Sequence, residues 1–324
     1  MLLEGISRNH FVIIGRAGID FFTDPGVRAE DAERVGVGLG GSAANIAAGI
    51  CKLGGKAALV TRVSDDSIGS YCIRQLEKYG VETTHVRPVG GEYRNSLAFY
   101  ETVSGGHRNV IYRNGAADFQ MDENDVSAVD YASFGALITA GTVFAAEPSR
   151  SASFMAFERA KTSSLPIIFD VDYRPYSWPS AEIASDILSR AAALSDMIVG
   201  NDVEFGFMAG DYDKGLEKAR ELARTSAQLV IYKMGEEGAI TITRDEEFKT
   251  GVYPVTALKP VGAGDSFMSG LLTSIANGFS LEDSVLHGSA CASIVVSKPG
   301  CASAMPDPSE LEEFLSSHPG PTSA

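Results

Sequence analysis

The stretch "PVGAGDSFMSG", Pro260 to Gly270, decides how this chain is read. Two glycines frame a turn that opens a helical segment. A turn at a helix start points free N–H groups and the positive end of the helix dipole the same way, which makes a cradle for an anion. Yet Asp265, itself an anion, stands at the mouth of that cradle. Asp is among the best helix-capping residues, so a purely structural role competes with a chemical one. Phosphoryl transfer reconciles the two charges. It needs donors for charge developing on the transferred group and a base beside the attacking hydroxyl. The amides of Gly262, Ala263 and Gly264 supply the donors, and Asp265 accepts the proton of an incoming alcohol. The alcohol, once bound, separates carboxylate from phosphate.

Working outward, short β-branched runs alternate with amphipathic stretches along the chain. "FVIIGR" (11–16), "KAALVTRV" (56–63), "FGALITAG" (134–141), "LPIIFDVD" (165–172), "SDMIVGN" (195–201) and "AQLVIYKMG" (227–235) read as strands. Helical segments follow them: 41–54, a segment capped by Asp or Ser and ending at Gly80, one from Ser149, one near Ala181, a stretch reaching Arg224, and two from about 263 to 296. Such alternation predicts a doubly wound, mostly parallel α/β sheet with helices on both faces. Two segments break the rhythm. Residues 21–40 are turn-rich, and "NSLAFYETVSGGHRNVIYR" (95–113) has the pattern of a hairpin about a Gly-Gly turn. They are expected to form a small β lid, from about 17–39 and 92–118, on a single domain spanning 1–324. The tail "HPGPTSA" is expected to fray.

Composition narrows the function. Hydrophobic residues make up 44% and charged residues 21% of the 324, as in an ordinary soluble protein. A net charge of −15 argues against a nucleic-acid footprint. The four cysteines are scattered, as reduced cytoplasmic thiols are, and the five histidines show no zinc-ligand spacing. No run approaches membrane-spanning length, so a cytoplasmic protein is expected.

In open α/β sheets ligands bind beyond the carboxyl ends of the strands. Asp20 after the first strand, Asp170 and Asp172 after "PIIF", Asn201 after "MIVG" and Lys233 after "LVIY" all fall on that rim. "GVGLGG" (36–41) satisfies a dinucleotide fingerprint only literally, since it does not directly follow the first strand. A nicotinamide oxidoreductase therefore has little support. "LGGKA" around Lys56 lacks the spacing of a P-loop.

"VGAGDSFMSG" together with "GGSAAN" (40–45) resembles the paired signatures of ribokinase-type (PfkB) carbohydrate kinases. "YRNGAAD" (112–118), "DYRPYSW" (172–178), "NDVE" (201–204) and "KMGEEG" (233–238) match that pattern too. The resemblance implies a ribokinase-like fold, and the roles that follow. Asp265 is the base, and Gly262, Ala263 and Gly264 are the anion hole. Asp20, Gly40, Gly41 and Asn45 hold sugar hydroxyls. Asn201 and Glu204 position Mg²⁺ and phosphate, largely through water. Lys233, Gly235 and Gly238 border the ATP phosphates, and Ser289 falls near the adenine. One departure is informative. Lys259 and Pro260 stand where the family often has Asp-Thr, an acidic position that helps build a monovalent-cation site. The Lys259 ammonium is expected to stand in for that cation.

Within the family, "GRAGID" (15–20), "DVDYRPYSW" (170–178) and "ACASIVVSKPGCASAMP" (290–306) most resemble the branch acting on 5-dehydro-2-deoxy-D-gluconate in inositol breakdown. Arg16, Gly18 and Asp20 are expected to alternate at the end of the first strand, with Arg16 facing a carboxylate. Arg113 and Arg174, with Asp172 nearby, are further candidates at the acid end. The expected activity is ATP-dependent phosphorylation of a primary hydroxyl of a keto-deoxy sugar acid, by a homodimer joined through its lids. Fructokinase or 2-keto-3-deoxygluconate kinase activity is the alternative within the class. A non-catalytic sugar or nucleotide sensor is the alternative outside it, and an intact Asp265 and glycine loop count against it.

Overall fold

Phe11, Val12, Ile13 and Ile14 alternate between two buried layers, Phe11 and Ile13 packing on one side and Val12 and Ile14 on the other. A strand whose successive side chains are apolar on both faces needs cover on both. The computed structural model, which describes residues 2–103, 105–106 and 108–322, supplies it with helices above and below a central sheet.

Thirteen strands are present among the described residues: β1 (His10–Ile14), β2 (Gly18–Phe22), β3 (Gly36–Gly40), β4 (Lys56–Ser64), β5 (Val86–Val89), β6 (Leu97–Tyr100), β7 (Asn109–Tyr112), β8 (Ala136–Ala140), β9 (Ile167–Asp170), β10 (Met197–Asn201), β11 (Leu229–Lys233), β12 (Ala239–Thr243) and β13 (Glu247–Thr250). Nine form the main sheet in the order β13-β12-β11-β10-β9-β8-β1-β4-β5, parallel except where β12 pairs antiparallel with both neighbours. The chain runs outward from β1 to β5 and then returns to β8 on the other side of β1. The strand order therefore reverses between β1 and β8, the place where such sheets open a crevice.

The helices are α1 (Leu2–Ile6), α2 (Ser42–Lys52), α3 (Ser67–Lys78), α4 (Glu123–Ser127), α5 (Ser149–Thr162), α6 (Ala181–Ala193), α7 (Asp202–Ala209), α8 (Gly215–Thr225), α9 (Ala263–Ala276), α10 (Leu281–Val296) and α11 (Pro308–Ser317). Residues of α2, α3, α9 and α10 pack with Phe11 and Ile13, and residues of α5 to α8 pack with Val12 and Ile14. Asp66, not a serine, caps α3, accepting from the amides of Ile68 and Gly69. None of the described helices is long and apolar enough to cross a membrane.

The lid is a separate four-stranded sheet, β3-β2-β6-β7, in which β2 and β6 run parallel and the outer pairs antiparallel. The hairpin expected at 95–113 is β6 and β7, although Ser104 and His107 of its turn lie outside the described residues. Two expectations need correcting. The first strand ends at Ile14, so Arg16 lies in the connection and Asp20 sits inside lid strand β2. And the tail does not fray as far as Thr322, because residues 318–322 bond to the chain around Val252; Ser323 and Ala324 lie outside the described residues.

Candidate active site

At the carboxyl edge of the main sheet, beneath the lid, lies a cavity of ≈ 590 Å³. Its lining brings together Arg16, Asp20, Gly41, Asn45, Asp172, Arg174, Asn201, Glu204, Lys233, Gly235, Gly238, Gly262, Ala263, Gly264, Asp265 and Ser289. Of the residues expected at the site, Gly40 and Arg113 alone do not line it.

The glycine loop enters α9 through Gly262, whose φ of 87° is left-handed and suits a residue without a Cβ. Gly262 is the N-cap, and no side chain caps the helix. The Ala263 amide, expected among the donors, turns back to the Pro260 carbonyl at 3.3 Å, while the amides of Gly264 and Asp265 have no partner among the described residues. Asp265 is the third residue of the helix, not its cap. Its Oδ2 accepts a hydrogen bond from Nδ2 of Asn45 at 2.8 Å. Burial pushes its pKa up to about 6; Asp172 adds to the rise, while Asn45, Arg174 and Arg16 oppose it. A Cβ on Gly264 would lie 3.4 Å from Nζ of Lys233, so that ammonium stands over the loop.

Below the loop, Lys259 is only 2% exposed, and its Nζ donates to the carbonyls of Val261 at 2.7 Å and Val295 at 3.1 Å. Burial lowers its pKa, while Cys301, Asp20 and Asp265 support the charge. Among the described residues it has no ion-pair partner within contact distance.

One end of the cavity is built by the lid and α2. Gly40 explains itself here: a Cβ on it would come within 1.9 Å of Oδ1 of Asp20. The glycine backs that carboxyl and does not touch the cavity. Burial raises Asp20 to about 7 against the pull of Arg16. Lid residues Ala98, Asn109 and Ile111 complete this wall.

The three arginines differ. Arg113 is buried, ion-paired with Asp118, and donates to the carbonyl of Thr142 at 3.0 Å, so it is committed behind the site. Arg174 pairs with Oδ1 of Asp172 at 2.7 Å. Asp172 also accepts from Ser42 at 2.8 Å and Thr142 at 3.3 Å; burial pushes its pKa up, but Arg174, Ser42 and the other arginines hold it below the usual range. Arg16 donates from Nη1 to Ser96 Oγ at 3.2 Å and has no carboxylate partner among the described residues.

Where α7 meets the cavity, Asn201 and Glu204 form a capping box. Asn201 Oδ1 accepts from the Glu204 amide at 2.9 Å, and Glu204 Oε2 accepts from the Asn201 amide at 2.8 Å. Burial raises Glu204, and raises Asp170 well above the carboxylate range against the pull of Lys233. Gly238 is required because a Cβ there would meet the Thr250 carbonyl at 1.9 Å. A second cavity of ≈ 670 Å³, sharing Gly235, Val252, Pro260, Ala263, Ser289 and Ala292 with the first, continues past the loop.

Sequence reasoning passes over Ser42, Asn109, Tyr176 and the wall 252–258. Asp170 falls on the predicted rim, but nothing in the sequence gives it a role. The signal for Ser42 lies inside "GGSAAN"; nothing local marks the others.

Residues 8–308 match the model described as pfkB family carbohydrate kinase. The chain belongs to that family. Relatives named 5-dehydro-2-deoxygluconokinase share this sequence over most of its length. The one from Photobacterium profundum is 37% identical and the one from Bacillus subtilis 35%, each over 94% of this chain and at least 94% of the relative. The chain is thus a carbohydrate kinase, a phosphotransferase acting on an alcohol. Its fold is that of a fructokinase from Xylella fastidiosa solved with bound ATP (TM-score 0.84, 21% identity, 95% of this chain and 98% of that one). A fructokinase from Vibrio cholerae O395, in a fructose-, ADP- and potassium-bound form, has a TM-score of 0.82 at 23% identity over 94% of this chain and 98% of that one.

Proposed function

We propose that this pfkB-family kinase transfers the γ-phosphoryl group of ATP to a primary hydroxyl of a keto-deoxy sugar acid, the acceptor being 5-dehydro-2-deoxygluconate as in the relatives' names. One observation carries the reading: Asp265 stands at the start of α9, whose entry no side chain caps, in a cavity that Arg16 also lines. The nucleotide lies with its phosphates over Gly262–Gly264 and Lys233 and its base in the second cavity, near Ser289. The sugar lies between Asp20, Asn45 and Arg16.

Asn45 orients the Asp265 carboxylate, which near neutrality is ionised yet basic enough to take a proton. The acceptor hydroxyl gives that proton to Asp265 while its oxygen bonds to the γ-phosphorus. The bond from that phosphorus to the β–γ bridging oxygen breaks, and ADP leaves. The loop amides and Lys233 offset the charge on the transferred group. No cluster of three or more His, Cys, Asp or Glu among the described residues is arranged to hold a metal by itself. Asp170, Glu204 and Asn201, which line the cavity, would instead hold a hydrated Mg²⁺ through its waters. When bound, it neutralises phosphate charge. Lys259 supplies the fixed cation under the loop.

The likeness to fructokinases is one of fold. The acid acceptor is favoured over fructose by Arg16, a cation at the sugar end with no carboxylate of its own among the described residues. Measuring ATP consumption across neutral sugars and sugar acids tests this. A higher kcat/KM for fructose than for any sugar acid would refute it.

We also propose a homodimer through the lids, in the cytoplasm, where the four free thiols stay reduced. The face of the lid turned from the cavity carries an apolar row, Val37, Phe21, Phe99 and Val110, beside a second row, Leu39, Ile19, Leu97 and Tyr112. Val37, Val110 and Tyr112 are 46%, 44% and 61% exposed, an apolar patch that a second lid would cover. Sedimentation at micromolar concentration is expected to give a dimer, and Val110→Glu a monomer. A monomeric wild type rejects the proposal.

A further inference from the structure

Beyond β13 the chain runs from Gly251 to Lys259 without helix or strand, and this bare segment walls the second cavity with Val252, Tyr253, Pro254, Val255, Ala257 and Leu258. A segment without regular structure must find other partners for its backbone groups. From the inside, Ser293 Oγ donates to the Tyr253 carbonyl at 2.8 Å. From the outside, partners come from residues 318–322. The Thr322 amide donates to the Val252 carbonyl at 2.8 Å, and Thr322 Oγ1 accepts from the Val252 amide at 3.0 Å. His318 Nε2 donates to the Pro254 carbonyl at 2.9 Å. The Tyr253 ring meets Phe314 and His318 edge-on, with centroids 5.6 and 5.4 Å apart. The fit is close enough that a Cβ on Gly251 would lie 2.0 Å from the Thr322 carbonyl oxygen. Thr322 itself lines the cavity.

A Pro- and Gly-rich tail should fray, since ordering each residue costs about 1–2 kcal/mol. This one is held, and its hydrogen bonds go to the cavity wall. We propose that residues 318–322 are a brace that presets the base-side wall of the nucleotide site and so sets nucleotide affinity. This rests on the reading that the second cavity takes the base of ATP. The brace lies away from Asp265 and the sugar end. Its removal makes the wall pay for ordering when nucleotide binds and leaves the chemistry alone.

The test compares the full chain with one ending at Ser317, which keeps all of α11. With the brace gone, KM for ATP and Kd for ADP are expected to rise about tenfold, while acceptor KM and saturated kcat stay within about twofold. Unchanged nucleotide constants overturn the proposal, and so does a parallel loss in kcat and both KM values. Gly251→Ala supplies the second arm. In the full chain its methyl collides with Thr322 and should raise the ATP KM severalfold; in the shortened chain it should add nothing. Equal effects in both backgrounds overturn the brace. A full chain that neither consumes ATP nor binds ADP removes the nucleotide reading itself, and that outcome is visible before any truncation is made.

Discussion

The loop entering α9 and the four-stranded lid face each other across one cavity, and they are built on opposite plans. The loop is one continuous stretch, and its offered groups are main-chain amides. Its shape is set by a left-handed Gly262 packed near Cys301, with the Lys259 ammonium buried beneath it. The lid is assembled from two segments separated by α2, β4, α3 and β5, and it offers side chains: Asp20, Asn109 and Ile111. Charge stabilisation tolerates little displacement, so it belongs on backbone at a rigid helix start. Selectivity among acceptors needs variety, which side chains on a small sheet supply.

That contrast can be broken or sharpened experimentally. Asp265→Asn removes the proposed base and should lower kcat by about 10²–10⁴ with nucleotide binding nearly intact; turnover within tenfold of wild type would remove the chemistry proposed for the loop. Arg16→Ala, at the lid end, should raise KM for the sugar acid about tenfold or more, the worth of a charge-assisted hydrogen bond, and barely affect a neutral sugar. Equal effects on both acceptors would show that Arg16 does not read charge. The raised Asp265 pKa sets a pH profile. As pH falls through about 6 the carboxylate gains a proton and loses its capacity as a base, so log kcat/KM should drop with a slope approaching one below that point. A rate flat down to pH 5 would contradict it. The smallest expected effect is none at all: replacing KCl by choline chloride should leave the rate unchanged, because Lys259 is covalently part of the loop's support. Strong potassium activation would assign the positive charge under the loop to a bound ion.

Much of this is legible in the sequence. Every strand read as a buried β-branched run is present, because the period of apolar residues survives any tertiary arrangement. The strands that escape, β5, β12 and β13, are short and lie toward the sheet edges, where the pattern has few residues to repeat. The site motifs are legible because glycine is forced at close approaches, as at Gly40 against Asp20 and Gly238 against Thr250. Partner choice is not. Arg16, Arg113 and Arg174 look equivalent in one dimension, yet Arg113 is neutralised by Asp118 within its own motif, Arg174 leans on Asp172, and Arg16 keeps its charge for the cavity. The pattern likewise carries the first strand on to Asp20 even though a lid is expected from about residue 17, since the two residues between Gly15 and β2 carry no strong signal.

The sheet, and the glycine loop with Asp265 just inside the helix it opens, could be read from the residues alone, because each depends on local backbone preference or on residue chemistry within a few positions. Only the tertiary structure decided which cation remains free, what braces the wall at Val252, and how Lys259 comes to lie beneath the loop. Those outcomes depend on which distant groups burial brings together, and electrostatic and hydrogen-bond partners are chosen by proximity in space.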